Sequence, residues 1–279
     1  MNDMYSDISI RISRIITNSY STSFSRAISF LNKEIRDAIF SIYGFVRIAD
    51  EIVDTFHDFD KHGLLDRFER NYYEALAEGI SINPVLNAFQ LTVKKYNIND
   101  ELIQAFLKSM KLDLYRLEHR SKDETDEYIY GSAEVVGLMC LKVFVKGNDT
   151  LYNELEMPAR RLGSAFQKVN FLRDLKNDTV ILKRQYFHNL ADRPFDNETK
   201  NEIIRDIEND FALSLEGLKR LPQNSRLGVI IAYTYYNTLL RKIRRVPAEK
   251  LLEKRIRVAD VVKIILLFKA WFANKFDII

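Results

Sequence analysis

Oxygen-bearing side chains recur at four-residue steps in two stretches of this chain, Asp50-Glu51-Ile52-Val53-Asp54 and Asn170-Phe171-Leu172-Arg173-Asp174-Leu175-Lys176-Asn177-Asp178. Both stretches are strongly helical in composition, and a four-residue step on a helix returns to the same face, so each becomes a ladder of oxygens. Like charges at that spacing weaken an isolated helix by roughly 0.2–0.5 kcal/mol per pair. A plain solvated surface gains nothing from them. Two facing ladders suit hard divalent cations held against an anionic substrate such as a pyrophosphate. Asp50, Asp54, Asn170, Asp174 and Asp178 offer only oxygen, which fits Mg²⁺ and fits zinc poorly.

Projection at ~100° per residue sorts the surroundings. On the first helix Tyr43, Arg47, Asp50, Asp54 and His57 share one stripe, while Phe45, Ile48, Ala49, Ile52 and Phe56 form the opposite, core-packing side. Val46 and Val53 flank the polar stripe, as in a lined cavity. Arg47 stands where it can orient a carboxylate or meet a phosphate. On the second helix Gly163, Gln167, Asn170, Phe171, Asp174 and Asp178 share a stripe, with Ala165, Val169, Leu172 and Leu175 towards the other side. Gln167 can donate to a phosphate or hold a metal-bound water. A single Asp-x-x-x-Asp arises often by chance and reads as a solvated face. Two ladders, each with an arginine at hand (Arg47, Arg173), form a more specific pattern. Glu51 and His57 are expected at the rim.

The chain that must position these residues has 279 of them, 47% hydrophobic and 12% aromatic, enough for a large core. Apolar residues recur three and four apart almost throughout, and only 9 Gly and 5 Pro interrupt them, which predicts an all-α bundle in a single domain spanning residues 1–279. Breaks are expected at 59–63, 81–84, 97–100, 121–123, 147–149, 192–194, 222–225 and 246–247. The balance of 42 basic and 39 acidic residues, a net of +3, argues against nucleic acid as the main partner. Cys140 is the only cysteine, so no disulfide framework or Cys-based zinc site is expected, and a reducing cytosol is the simplest compartment. Met1 to Asp7 has neither a basic nor an apolar region of the secretory kind. The apolar stretch from Val261 to Ile279 is interrupted by Lys263, Lys269, Lys275 and Asp277, short of the ~20 residues a membrane span needs. It is expected to form a core-facing helix with snorkelling lysines, a membrane-surface contact being the alternative.

Several of these segments, in this order, resemble the squalene and phytoene synthase family of head-to-head prenyl transferases, which have the class I isoprenoid synthase fold. Tyr20-Ser21-Thr22-Ser23-Phe24 is similar to the family's N-terminal phosphate-contacting segment. Arg47-Ile-Ala-Asp50-Glu51-Ile-Val-Asp54 resembles its first Asp-rich motif, and Gln167-Lys-Val-Asn170-Phe-Leu-Arg173-Asp174 with Asp178 its second. Tyr128-Ile-Tyr130-Gly131-Ser132-Ala133-Glu134-Val-Val-Gly137 resembles the Tyr-x-Tyr helix between them. Tyr236, Arg255, Arg257 and Lys263 stand where C-terminal residues bind a pyrophosphate. Tyr20 departs from the usual His and Glu134 from the usual Gly. The stretch from Thr179 through Lys183 to Arg184, Tyr186 and Phe187 follows the family's basic segment only loosely.

The resemblance implies a helical bundle around a central active-site cavity. It implies a Mg²⁺-dependent transferase, with Mn²⁺ as a substitute, that joins two allylic diphosphates through a cyclopropyl diphosphate. Tyr43, Arg47, Tyr128 and Gln167 would act beside the ladders, and Ser21, Ser23, Arg47, Arg173, Tyr236, Arg255 and Lys263 would bind diphosphate. Phe24, Val46, Val53, Ala133, Gly137, Leu138 and Phe171 would line the tunnel for the hydrocarbon tails. Of Tyr233, Tyr235 and Tyr236, one is expected at the site and the others in packing. Two geranylgeranyl diphosphates giving phytoene is the favoured reaction. Farnesyl diphosphate giving dehydrosqualene or squalene is the alternative, and NADPH is needed only for squalene. Such an enzyme would be cytoplasmic, with a peripheral membrane contact and downstream carotenoid enzymes as further partners. The rivals are a chain-elongating transferase or cyclase, and a non-catalytic helical scaffold.

Overall fold

The computed structural model describes residues 3–115, 118–119, 121–182, 184–191 and 193–275. Lys183, Asp192 and Asp277 of the sequence reading lie outside them. The helices are α1 (Asp3–Tyr20), α2 (Thr22–Ser29), α3 (Lys33–Asp54), α4 (Lys61–Glu78), α5 (Pro84–Tyr96), α6 (Asp100–Leu112), α7 (Lys122–Ile129), α8 (Val135–Val145), α9 (Asp149–Lys176), α10 (Asn197–Arg220), α11 (Gln223–Arg244), α12 (Ala248–Glu253) and α13 (Asp260–Lys275). Among the described residues the only extended pairing is one bridge between Glu118 and Gln185. The all-α expectation holds.

Local chemistry explains the punctuation. Asn32, Asp60, Asn83, Ser121, Asn148 and Asp196 each cap a helix by accepting from a backbone N–H of its first turn, which supplies one of the donors that a helix start leaves unpaired. Gly79 ends α4 at a φ of 80°, a conformation that a side chain would oppose. Two breaks stand outside those expected from Gly and Pro: Ser21 separates α1 from α2, and Asn32 starts α3.

Helices α2, α3, α8, α9 and α11 form a ring in which each packs on the next. The outer side of α3 carries Phe45, stacked on Phe89 at 3.9 Å and surrounded by Phe68, Tyr72 and Phe106. Val169, Leu172 and Leu175 of α9 are buried in a second core with Ile204, Ile207 and Phe211 of α10. Each acid helix is thus fixed by its apolar back, which leaves its polar stripe to face the ring's interior. The segment Lys122–Val145 is apolar and long enough to cross a membrane by composition. It forms α7 and α8 with a π-helical turn, Tyr130–Glu134, between them, and it packs against α3, α6 and α9.

α13 departs from expectation. Its Ala270 is buried against α11, but Val261, Ile264, Ile265, Phe268, Trp271 and Phe272 are exposed. The lysine that points inward is Lys263. The core-facing helix read from the sequence is therefore turned outward on most of its apolar surface.

Candidate active site

Inside the ring lies a cavity of about 340 Å³. Its polar end is formed by Ser21, Tyr43, Arg47, Asp50, Gln167, Asn170 and Tyr236, and its deep end by Leu31, Phe144, Leu155, Pro158 and Leu221. Polar residues from both acid helices therefore share one mouth.

On α3, Arg47 bonds through one terminal nitrogen to Asp50 and through the other to Glu51, and its guanidinium stacks over the Tyr20 ring at 4.1 Å. Burial at the mouth and the nearby charge of Asp54 push the Asp50 carboxyl up to about 7. The helix stops at Asp54, with Thr55 as its cap. Phe56 and His57 thus lie beyond the helix; both are exposed, and Phe56 has no core role. His57 is exposed, and Glu51 is half-buried in its pair with Arg47. Tyr43 packs on Phe24 at 5.0 Å, and burial raises its hydroxyl to about 12.

On α9 a chain of hydrogen bonds crosses the mouth. The Tyr236 hydroxyl donates to Asn170 Oδ1 (3.2 Å), Asn170 Nδ2 to Gln167 Oε1 (3.5 Å), and Gln167 Nε2 to Ser132 Oγ (3.3 Å). Tyr236 also stacks on Phe166 at 4.1 Å. Tyr233 packs edge-on against Phe211, and Tyr235 edge-on against Tyr236. Of the three tyrosines, Tyr236 borders the cavity. Asp174 is held by Arg173 and by Arg255, whose Nε lies 2.6 Å from Oδ1. Asp178 falls in a π-helical turn, Asn177–Ile181, that follows α9. Burial, with the charges of Asp174 and Asp54, pushes Asp178 up to about 7.

Arg184 ties the two ladders together, and the sequence reading missed it. Its buried guanidinium donates from Nη1 to Asp54 Oδ1 (2.6 Å) and to the Tyr186 hydroxyl (3.3 Å), and from Nη2 to the Asp113 carbonyl (3.1 Å). Its backbone N–H donates to the Asp178 carbonyl at 2.8 Å. Asp113 was missed as well. Its carboxylate accepts from the Tyr128 hydroxyl at 2.6 Å, and burial pushes it up to about 7. The signal available was a basic residue and two aromatics shortly after Asp178, in a segment whose likeness to the family is loose.

Other expected residues move role. Phe24, Val46, Ala133 and Gly137 line the cavity. Val53, Leu138 and Phe171 do not. Val53 and Leu138 are buried in the core around α3 and α8, and Phe171 stacks on Tyr186 at 4.3 Å behind the second ladder. A ladder position on a helix leaves its neighbours on either flank, and here those flanks meet other helices. Gly131 faces α6, where a Cβ would sit 2.7 Å from the Ala105 carbonyl oxygen, so its smallness serves helix approach. The Tyr128 ring lines the cavity while its hydroxyl turns to Asp113. The Ser21 hydroxyl caps α2 by accepting from Phe24 N–H and also borders the cavity. Ser23 lies outside the cavity lining. Lys263 stays at the start of α2, with its ammonium 3.5 Å from the Thr22 hydroxyl and 3.1 Å from Asp260.

The donor set fits a hard divalent cation in kind. Among the described residues, however, no three acidic, histidine or cysteine side chains converge closely enough to hold one as they stand. Each of Asp50, Asp54 and Asp174 instead meets a guanidinium. Asp178 takes its shift from crowding by like charge and from burial. Arginines therefore neutralise the ladders in this state, and they are also the groups that bind phosphate best.

The family profile for squalene/phytoene synthase matches residues 17–261. The chain is 25% identical to 4,4'-diapophytoene synthase of Staphylococcus haemolyticus over 82% of its length and 85% of that protein. It is 26% identical to phytoene synthase of Arthrospira platensis over 85% of its length and 84% of that protein. Its fold is similar to a crystal structure of a dehydrosqualene synthase in complex with ligand, at a TM-score of 0.82, 20% identity and 97% and 98% coverage of the two chains. Of the ladder residues, Asp50 and Asn170 line the chamber, and Asp54, Asp174 and Asp178 lie outside its lining. The chain belongs to the squalene/phytoene synthase family, and it is a transferase of the head-to-head prenyl class.

Proposed function

We propose that this enzyme couples two geranylgeranyl diphosphates into phytoene by way of a cyclopropyl diphosphate. The observation that supports it best is the single mouth at which Asp50 of α3 and Asn170 of α9 open onto an otherwise apolar chamber. Mg²⁺ bound by Asp50 and Asp54 on one wall and by Asn170, Asp174 and Asp178 on the other would neutralise the diphosphates and help them leave.

The protein's own side chains do the rest. Arg47, Arg173 and Arg255 exchange carboxylate for phosphate when substrate arrives, which places guanidinium charge on the departing oxygens. Arg184 keeps Asp54 aligned with the second ladder. Tyr43 and Tyr236 offer hydroxyls at the boundary between polar mouth and apolar chamber. Ser21 adds another, with Ser23 and Lys263 more distant on the same side. The chamber holds both tails dry, so that an allylic cation meets a double bond before it meets water. We place the reaction in the cytoplasm, with its hydrocarbon product passing to a bilayer and to downstream carotenoid enzymes.

Product analysis by mass spectrometry decides the chain length. The enzyme is incubated with geranylgeranyl or farnesyl diphosphate and Mg²⁺, with and without NADPH. Phytoene from the longer substrate, without NADPH, is the expected result. A second reading, dehydrosqualene from farnesyl diphosphate, is favoured by the likeness to the diapophytoene synthase and would appear as the shorter polyene. A product of unchanged carbon number would contradict both.

A further inference from the structure

A helix at the surface of a globular protein ordinarily turns its apolar stripe inward. α13 keeps Ala270 and Leu267 inward but carries a broader apolar stripe outward. Phe268 is 71% exposed, Val261 69% and Ile265 59%, and Ile264, Trp271 and Phe272 complete the same outward face. On the inward side stand Ala270, Leu267, Lys263 and Asn274, the last accepting a hydrogen bond from Arg226. Contiguous exposed apolar area of this kind marks a surface that meets something other than water.

The charge around it says what. From Lys254 to Lys275 six basic residues stand against one acid, Asp260, a net of +5. The whole chain carries only +3, so everything outside this segment is net −2. Lys254, Arg257, Lys269 and Lys275 are exposed. Aromatic and branched aliphatic side chains flanked by lysine and arginine are the pattern of a helix that lies in the plane of an anionic bilayer surface. A second copy of this chain would have to bring the same positive charge against itself.

We propose that the outer face of α13 docks this protein on an anionic lipid surface, with Phe268, Trp271 and Phe272 entering the acyl boundary and Lys254, Arg257, Lys269 and Lys275 meeting lipid phosphates. α13 packs through Ala270 and Leu267 onto α11, and α11 lends Gly228, Val229 and Ala232 to the cavity wall. Two packed helices, α13 and α11, therefore separate the docked face from the apolar chamber.

Trp271 is the only tryptophan, so its fluorescence reports this face alone. The full chain is mixed with vesicles of phosphatidylcholine, or of phosphatidylcholine containing phosphatidylglycerol, and then floated. The proposal expects co-flotation and a blue shift of Trp271 emission with the anionic vesicles, both weakened by salt. The double variant Phe268→Ser/Phe272→Ser should weaken binding at least about tenfold with an unchanged far-ultraviolet CD spectrum. Lys269→Glu/Lys275→Glu should remove the preference for anionic lipid. Absence of flotation with either vesicle overturns the proposal. So does a lipid-free dimer, seen by sedimentation, that carries the Trp271 shift and is lost in the Phe268→Ser/Phe272→Ser variant. None of these readouts depends on turnover, so they stand or fall apart from the proposed reaction.

Discussion

The two ends of the first acid ladder, Asp50 and Asp54, neutralise similar charges by different means. On α3 Arg47, one turn away, serves Asp50 and Glu51, but Asp54 at the end of the same helix is met by Arg184, which arrives from the loop after the π-helical turn. On α9 Arg173 serves its neighbour Asp174, and Arg255 reaches the same carboxylate from beyond α12. The Asp50 end of the first ladder is thus complete within its own helix, whereas the Asp54 end depends on a segment distant in the chain. The Asp50 end should tolerate disturbance elsewhere in the chain, and the Asp54 end should not.

The largest effect is expected from removing an acid from each ladder. Asp50→Ala and Asp174→Ala should each lower turnover by about a thousandfold or more, with helical CD retained. If only one variant loses activity, the ladders do not act together.

Next in size is Arg184→Ala, which leaves Asp54 and the Asp113 carbonyl without their partner. Breaking a buried pair costs about 3 kcal/mol, readable as a lower urea midpoint, and kcat should fall by about one to two orders of magnitude. Arg47→Ala should leave the urea midpoint much closer to the parent value, since the Arg47 side chain is 22% exposed against 6% for Arg184. Equal losses of stability in the two variants would remove the distinction drawn above.

The carboxyls supply a pH test. Asp50, Asp113 and Asp178 sit at about 7 in the folded protein, against roughly 4 for an unperturbed Asp. Between those values the folded chain keeps protons that the unfolded chain has released. Stability of the ligand-free protein should therefore be greatest on the acid side and decline as pH rises from about 4 to about 7. Thermal melts across that range check the slope. Added Mg²⁺ with inorganic pyrophosphate should stabilise more at pH 8 than at pH 6, because cation uptake displaces those protons.

The smallest effects separate core from chamber. Val53→Ala should cost roughly 1–2 kcal/mol of stability and leave the product unchanged, since Val53 is packed in the core. Ala133→Leu, at the cavity wall, should shorten the tail the enzyme accepts with little change in melting temperature. Mass spectrometry of products from both diphosphates tells the two apart.

How much was legible follows the same line. The all-α fold and the breaks on which its helices turn were readable because capping residues, Gly and Pro act locally. The ladders on α3 and α9 were readable because a regular helix maps spacing onto a face. That mapping failed where the helix did: Phe56 and His57 lie past the end of α3, and Asp178 sits in a π-helical turn. Val53, Leu138 and Phe171 were assigned to the tunnel because an apolar residue beside a polar stripe cannot declare whether a cavity or a helix lies opposite. Arg184 and Asp113 were missed because their partners are remote in sequence. The outward face of α13 escaped for a further reason, since periodicity reveals an apolar stripe but not the side on which the protein lies.

A metal site shared by the two ladders is tested most directly by anomalous X-ray diffraction from crystals grown with Mn²⁺ and a non-ionisable thiodiphosphate analogue of the allylic substrate. Manganese peaks are expected between Asp50 and Asp54 on one side and Asn170, Asp174 and Asp178 on the other, with diphosphate oxygens bridging the two sides. Peaks confined to one ladder, or a diphosphate bound away from the shared mouth, would contradict a shared site.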